Sequence, residues 1–237
     1  MKLIGAGLPR TGTRAQKAAL EDIIGLGPTY HMADVWADLS PRIQQWSEAF
    51  EGNADWGRIF EGFEATVDWP GSFHWRELVD VYPDAKVILS VRSGESWAES
   101  MHTTIWAELY DDTLLNDLSS ARAKVDPDWA KFRDLMKAMW EKSGLLGAVE
   151  NGFDAAALAA AMEAHNDEVR ETIAPERLLV WSPYDGLEPV CKFLDVPIQK
   201  VDTPRVNNES GFGDQSRRAS LDFLNQWQSS QEILHKS

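Results

Sequence analysis

The stretch that decides the fold is GAGLPRTGTRAQ, residues 5–16, which directly follows the apolar opening MKLI at residues 1–4. A short apolar run, a glycine-rich turn and then helix-forming residues predict a strand, a tight turn and a helix, in that order. The predicted strand covers Lys2–Gly7 and the predicted helix covers Thr13–Ile24. A strand, a glycine turn and a helix in succession are typical of an α/β fold.

The turn half-matches two phosphate-binding motifs and completes neither. Gly5-x-Gly7 begins a dinucleotide fingerprint, but Arg10 stands in the place of the third glycine. The spacing from Gly7 to Gly12 is that of a Walker A motif, but Thr13-Arg14 stands where a lysine and a hydroxyl residue should follow. Both partial matches indicate an anion-binding turn without identifying the anion.

The chemistry of the turn favours a phosphate or a sulfate. The first N–H groups of a helix that begins near Thr13 lack partners inside the helix, and the helix dipole adds partial positive charge there. Arg10 and Arg14 add full charges, and Lys17 follows one helical turn later. The alternative is a tight strand–helix turn whose arginines are simply solvated.

Length, charge and cysteine content bound the class of protein. The 237 residues suffice for one α/β domain, which we expect to span residues 1–237. A net charge of −15 argues against nucleic-acid binding through a general basic surface and against anionic membranes. No apolar run approaches the roughly 18 residues of a membrane span, and no signal-peptide pattern is present. With Cys191 as the single cysteine, these features are typical of a cytoplasmic enzyme.

Apolar runs separated by helical segments predict a three-layer α/β/α fold with a central parallel sheet. After the first strand we predict strands at Ala65–Val67, Lys86–Val91 and Arg177–Trp181, the last two buried. Residues 111–172 are helical in character, Asp195–Asp214 is loop-like, and a last helix begins at Ser216.

Ligands of parallel sheets bind outside the carboxyl ends of the strands, and four stretches qualify. They are Arg10–Arg14, Asp68–Gly71, Arg92–Ser100 and Ser182–Asp185.

The second stretch with a phosphate-binding pattern is VRSGESWAES, residues 91–100. Arg92 leaves the end of a buried strand, and Ser96 and Ser100 lie on one face of the helix that follows. An arginine beside a hydroxyl can hold a second phosphate through charge-assisted hydrogen bonds. The alternative is an ordinary helix start in which Ser93 caps the backbone.

Together, LPRTGTR and VRSGESWAES resemble the two cofactor loops of sulfotransferases that use 3′-phosphoadenosine-5′-phosphosulfate (PAPS). Pro9–Thr13 matches the family's loop for the 5′ end of the nucleotide, and Arg92 with Ser100 matches its 3′ motif. Residues 63–92 and 178–208 are also similar to a short, divergent branch of this superfamily. The helical stretch at about 105–172 is where the resemblance predicts an acceptor-side insertion.

The resemblance implies a role for each loop residue. The amides of Thr11, Gly12, Thr13 and Arg14 would cradle the 5′-phosphosulfate, with the Thr13 hydroxyl assisting. Arg10 takes the place of the family's lysine, which neutralises charge on the leaving phosphate. Arg92 and Ser100 would hold the other end of the nucleotide. The implied reaction transfers a sulfuryl group to a hydroxyl or amine of a small-molecule acceptor and needs no metal.

Two positions depart from the family's pattern. Ala15 stands where the family often has the tryptophan that stacks on adenine, which leaves Trp97 and Trp181 as possible substitutes. Near the C-terminus, Arg205 and Arg217-Arg218 are the candidates for a basic loop that closes over the nucleotide, against a plain solvated loop.

The general base is predicted to be Asp68, which follows the Ala65–Val67 strand. His74 and His31 are the alternatives, and Asp68 could also simply cap a turn. Three other functions remain open. They are a P-loop kinase or NTPase with Asp68 on magnesium, an NAD(P)-binding reductase, and a non-catalytic nucleotide-binding protein.

Overall fold

Five parallel strands form one central sheet in the computed structural model, which describes residues 1–147, 149–198, 203–204 and 209–234. In chain order they are β1 Leu3–Gly5, β2 Thr29–Tyr30, β3 Ala65–Thr66, β4 Lys86–Ser90 and β5 Leu178–Trp181. Their order across the sheet is β2-β3-β1-β4-β5. Because β1 lies between β3 and β4, the predicted anion turn stands at the middle of the carboxyl edge.

Helices cover both faces of the sheet, so the predicted three-layer α/β/α architecture is confirmed. Leu3 packs into one buried cluster and its neighbour Ile4 into another on the opposite face, as the alternation of a strand requires. The helices are α1 Thr13–Ala18, α2 Met32–Ala37, α3 Leu39–Phe50, α4 Trp56–Ile59, α5 Trp75–Val81, α6 Gly94–Met101, α7 Ala107–Leu109, α8 Leu114–Ala123, α9 Pro127–Ser143, α10 Ala155–Thr172, α11 Glu188–Leu194 and α12 Glu209–Leu234.

Two helices continue through a wider π-helical turn. Helix α1 continues as Ala19–Ile23, so the helical run covers nearly all of the predicted Thr13–Ile24. Helix α6 continues through His102–Trp106 into α7, which makes one helical run from residue 94 to residue 109. None of the described helices is both long and apolar enough to cross a membrane.

Three details of the predicted elements need correction. Strand β5 lies at the edge of the sheet, and its Val180 is 40% exposed, so it is not buried as we expected. The two-residue strand β2 was not predicted, since its sequence follows a glycine- and proline-containing stretch. Helix α12 begins at Glu209 rather than Ser216, because the glycines at 211 and 213 suggested a loop.

Candidate active site

A cavity of about 980 Å³ opens at the carboxyl edge of the sheet. The sequence-predicted site residues all line it, namely Arg10, Thr11, Gly12, Thr13, Arg14, Asp68, Arg92 and Ser100. His31 lines the cavity too, whereas His74 does not. His74 instead lies in the aromatic core, stacked on Trp46 with its Nδ1 3.2 Å from Glu77 Oε1.

The turn after β1 presents backbone amides to the cavity. Gly12 stands at the start of α1 with φ 91°, a left-handed conformation that glycine adopts without strain. A Cβ atom at this position would lie 2.4 Å from Pro183 Cγ, so the turn also needs glycine for its close contact with the loop after β5. Within the described residues no side chain caps the helix start, which leaves its first N–H groups available to a ligand.

Arg10 reaches across the cavity floor to the second motif. Its Nε donates to Ser100 Oγ at 3.2 Å, and its guanidinium lies 5.2 Å from the centre of the Phe212 ring. Its backbone has φ 72°, which typically costs about 1–3 kcal/mol for a residue with a side chain. Such strain persists only where surrounding contacts enforce it, as they do here.

Arg92 ties the two predicted nucleotide motifs together. Its Nη1 donates to the Arg10 carbonyl at 3.0 Å, and its Nε donates to Ser96 Oγ at 2.9 Å. Ser93 also caps α6 by accepting the Ser96 amide at 3.3 Å, so the helix-cap interpretation of this stretch holds as well. We call Arg10–Arg14, Arg92 and Ser100 the basic wall of the cavity.

Thr11 contributes its backbone rather than its hydroxyl to the basic wall. Its Oγ1 is 2.6 Å from Ser90 Oγ and donates to the Leu8 carbonyl at 2.7 Å. The hydroxyl therefore fastens the turn to the end of β4 instead of facing a ligand.

Asp68 lies at the carboxyl end of β3 with one oxygen held and the other without a hydrogen-bond partner. Its Oδ2 is 3.1 Å from His31 Nε2, whereas its buried Oδ1 has no hydrogen bond to any residue in the described ranges. Burial raises the pKa of Asp68 to about 7, and the backbone N–H of Trp69, the Thr13 hydroxyl and the charges of Arg10 and Arg14 oppose this shift without cancelling it. A carboxyl group with this pKa is partly ionised near neutral pH and can accept a proton there.

His31 is held as a neutral ring by its backbone contacts. Its Nδ1 accepts the Ala33 amide at 3.0 Å, so in the neutral ring Nε2 must carry the proton. That proton lies between Asp68 Oδ2 and Thr13 Oγ1, with Nε2 3.3 Å from the threonine oxygen. Burial, with Arg14 and Lys17 nearby, lowers the pKa of His31 to about 3. His31 is thus a hydrogen-bond donor to Asp68, and its own geometry does not suit it as a base.

The opposite wall of the cavity is aromatic. Helix α9 directs Phe132, Met136 and Trp140 into the cavity from positions four residues apart. The Trp140 ring stacks on Trp69 with a centroid distance of 3.9 Å, and Phe132 meets Trp36 at 6.4 Å. We call Trp36, Trp69, Phe132, Met136 and Trp140 the aromatic wall. The sequence carried a signal for it in the i, i+4, i+8 spacing on α9, which we had not assigned to a site.

The tryptophans considered for adenine stacking are both in the core. Trp97 donates from Nε1 to the Pro9 carbonyl and Trp181 from Nε1 to the Gly186 carbonyl, each at 2.8 Å. Tyr184, in the Ser182–Asp185 stretch that we predicted at the ligand edge of the sheet without giving it a role, lines the mouth of the cavity beside Gly12 and is 91% exposed.

The C-terminal arginines do not join the cavity in the part of the chain that is described. Arg217 pairs with Asp214 and neither Arg217 nor Arg218 lines the cavity, while Arg205 lies outside the described residues.

Comparison with known proteins gives two matches. Residues 2–212 match the family model described as "Sulfotransferase domain". A curated relative, "Ava biosynthesis cluster protein M" of Aspergillus versicolor, is 31% identical over 232 residues, which cover 89% of this chain and 82% of the relative.

Proposed function

The chain belongs to the sulfotransferase family, and we propose that it transfers a sulfuryl group from PAPS to a hydroxyl or amine of a small-molecule acceptor. The observation that carries this proposal is Asp68, a buried carboxyl group with a raised pKa in the lining of a cavity whose floor is an uncapped helix start flanked by arginines. A proton acceptor beside an anion-binding turn is what sulfuryl transfer to an O–H or N–H group requires.

The basic wall suits a nucleotide with anionic groups at both ends. The open amides at the start of α1, with Arg10 and Arg14, suit the 5′-phosphosulfate. Arg92 and Ser100 are proposed for the 3′-phosphate. When bound, the donor supplies a sulfur atom that forms a bond to the acceptor oxygen or nitrogen as its bond to the phosphate oxygen breaks, which releases adenosine 3′,5′-bisphosphate.

Asp68 is the proposed general base. Its carboxylate takes the acceptor's proton, and the N–H of His31 binds Oδ2 and fixes the orientation of the carboxylate. Arg10 is the proposed electrostatic partner of the departing phosphate because it belongs to the first nucleotide motif and its side chain donates to Ser100 of the second. An arginine keeps its charge throughout, so it acts here through its field rather than by giving up a proton.

Tyr184 is the proposed platform for adenine. An exposed ring beside the phosphate-binding turn can stack on a base, and such stacking is tolerant of base identity. Trp97 and Trp181 are excluded from this role by their burial in the core.

The aromatic wall is the proposed acceptor side, supplied in part by the helical stretch 105–172. Flat aromatic rings and methionine suit an apolar, ring-containing molecule. The relative's name places that protein in a biosynthesis cluster, in agreement with a small-molecule acceptor for this chain as well.

The test is thermal stabilisation by adenosine 3′,5′-bisphosphate, compared with ATP–magnesium and with NADH. A ligand at a concentration of about 100 times its dissociation constant raises the free energy of unfolding by about 2.7 kcal/mol. We expect a clear rise in melting temperature with the bisphosphate and none with ATP–magnesium or with NADH. Stabilisation by ATP–magnesium or by NADH without an effect of the bisphosphate would rule the proposal out.

A further inference from the structure

A second carboxyl group, Glu108 on α7, lies in the wall of the cavity. It is 8% exposed and lines the cavity, as do the apolar side chains of Leu109 and Met136. Its Oε1 accepts the hydroxyl of Ser216 at 2.7 Å and the hydroxyl of Ser119 at 3.3 Å. These two bonds connect α7 to α8 and α12, and they fix the position of the carboxyl group.

The other carboxyl oxygen of Glu108, Oε2, is the atom that a ligand could contact. Among the described residues, no hydrogen bond reaches Oε2 of this nearly buried side chain. Oε2 is not among the fully buried polar atoms that lack a partner, so this oxygen remains accessible from the cavity that Glu108 lines. A ligand in the cavity can therefore supply a hydrogen-bond donor to Oε2.

Two arginines near Glu108 partly offset the burial of its charge. Burial raises its pKa, while the Ser216 hydroxyl and the charges of Arg133 and Arg122 oppose that shift. The Arg133 guanidinium is itself fixed by Asn116 Oδ1 at 2.9 Å and by the Glu108 carbonyl at 3.1 Å. Because Arg133 and Arg122 already supply positive charge beside this carboxyl group, a neutral O–H or N–H group suffices as the donor to Oε2.

Glu108 also stands well away from the basic wall. Ser100 and Glu108 belong to one helical run and are eight residues apart, which corresponds to roughly 12 Å along the helix axis. Ile105 and Leu109, which also line the cavity, lie on the same run. A molecule that spans this distance meets an apolar surface in between and a polar group at each end.

We infer that Glu108 is a specificity-determining residue that accepts a hydrogen bond from a neutral hydroxyl or N–H group at the end of the acceptor remote from the transfer. The substrate class is then an apolar, ring-containing molecule with two hydrogen-bonding groups at opposite ends. This inference deepens the proposed function, since it rests on the cavity holding the acceptor.

Three rigid biphenyls test the inference by binding. Biphenyl-4,4′-diol carries a hydroxyl at each end, biphenyl-4-ol lacks the remote one, and 4′-methoxybiphenyl-4-ol keeps an oxygen there but has no hydrogen to donate. Their dissociation constants are measured by isothermal titration, with and without adenosine 3′,5′-bisphosphate. We expect the diol to bind about tenfold more tightly than either other compound, as a hydrogen bond to a charged group predicts.

Variants at residue 108 then assign the preference. Glu108→Ala should bring the three affinities to within about twofold of one another, and Glu108→Gln should keep part of the preference because the amide oxygen still accepts. Glu99→Gln, at an exposed glutamate of the same helical run, is the matched control and should behave as the wild type. Melting temperatures identify variants that fail to fold. If Glu108→Ala fails to fold, the isosteric Glu108→Gln variant alone tests whether Glu108 causes the preference for the diol.

Equal affinities for the three compounds, no measurable binding of the diol, or an undiminished preference in both folded variants would overturn the inference. These outcomes are separate from failure of the proposed function. That failure would appear as an absence of stabilisation by the bisphosphate, whereas the diol preference is read without any turnover.

Discussion

The basic wall and the aromatic wall of the cavity are built by different means. The basic wall depends on hydrogen bonds between two short motifs, with Arg92 bound to the Arg10 carbonyl and Arg10 bound to Ser100. The aromatic wall depends on packing between side chains far apart in sequence, such as Trp69 on Trp140. Replacing a residue of the basic wall should therefore change how the nucleotide binds, whereas replacing a residue of the aromatic wall should change which acceptor fits.

The largest effect is expected between the walls, at Asp68. Asp68→Asn keeps the shape of the side chain but removes the proton acceptor, so turnover should fall by about 10²- to 10⁴-fold while bisphosphate affinity stays nearly unchanged. Turnover and bisphosphate titration measure the two effects. Full turnover in the variant would assign the base elsewhere.

The same variant should not lose stability. The pKa of Asp68 is raised to about 7 in the folded chain from an ordinary value of about 4. At pH values between these two pKa values, Asp68 is protonated in the folded state and ionised in the unfolded state. The free energy of unfolding of the wild type therefore falls as pH rises through this range. Asp68→Asn removes that dependence, and its melting temperature at pH 8 should equal or exceed that of the wild type.

The next effect is expected at Arg92 in the basic wall. Arg92→Ala removes a charge and also releases the Arg10 carbonyl, so affinity for adenosine 3′,5′-bisphosphate should fall about 100-fold. Arg76→Ala, at an exposed arginine paired with Glu168 away from the cavity, is the control for a lost positive charge. An unchanged bisphosphate affinity in Arg92→Ala would show that residues 91–100 form a helix start and do not bind the nucleotide.

A smaller loss is expected at Tyr184. Tyr184→Ala should weaken bisphosphate binding about tenfold through lost stacking, and the melting temperature without ligand should not change because the ring is exposed. Tyr184→Phe retains the ring and should retain the affinity. Equal affinities in the wild type and the alanine variant would remove Tyr184 from the nucleotide site.

The pH profile distinguishes Asp68 from the residue that orients it. Turnover of the wild type should rise with pH around a midpoint near 7, since the carboxylate is the form that accepts a proton. His31→Leu removes the N–H that stabilises this carboxylate, so the midpoint should move to higher pH and the maximal rate should fall several-fold. A midpoint that moves to lower pH would contradict this arrangement.

The smallest effect on nucleotide affinity is expected for substitutions in the aromatic wall. Trp140→Phe loses the stack on Trp69, so biphenyl-4-ol should bind a few-fold more weakly while bisphosphate affinity stays the same. Trp46→Phe, at a buried tryptophan that does not line the cavity, should lower the melting temperature without changing either affinity. A loss of bisphosphate affinity in Trp140→Phe would show that the two walls are not independent.

The two walls also differ in how far the sequence predicts them. The basic wall and the strands β1 and β4 follow from local patterns, because a strand, a glycine turn and a cation near a helix start are adjacent in the chain. The partner of Arg92 did not follow. We placed both Ser96 and Ser100 on the helix face beside it without choosing between them, and Arg92 binds Ser96 and the Arg10 carbonyl. Which of several hydroxyls on a helix face meets a guanidinium depends on the angle between elements.

The aromatic wall could not be predicted in the same way. Eleven tryptophans are spread over the chain, and sequence alone does not tell a core ring from a cavity ring. Trp97 and Trp181 are buried against backbone carbonyls, while Trp140 and Trp69 line the cavity. The difference depends on tertiary packing across helices such as α9, which local periodicity does not encode.

The contact between Gly12 and Pro183 restricts how this protein can vary over evolution. Any side chain at position 12 would displace Pro183, and the next residue, Tyr184, would move with it. A substitution in the phosphate-binding turn would thus also alter the structure at the mouth of the cavity. Positions 12 and 183 therefore cannot drift independently, and a larger residue at one becomes tolerable only after the other has changed to make room.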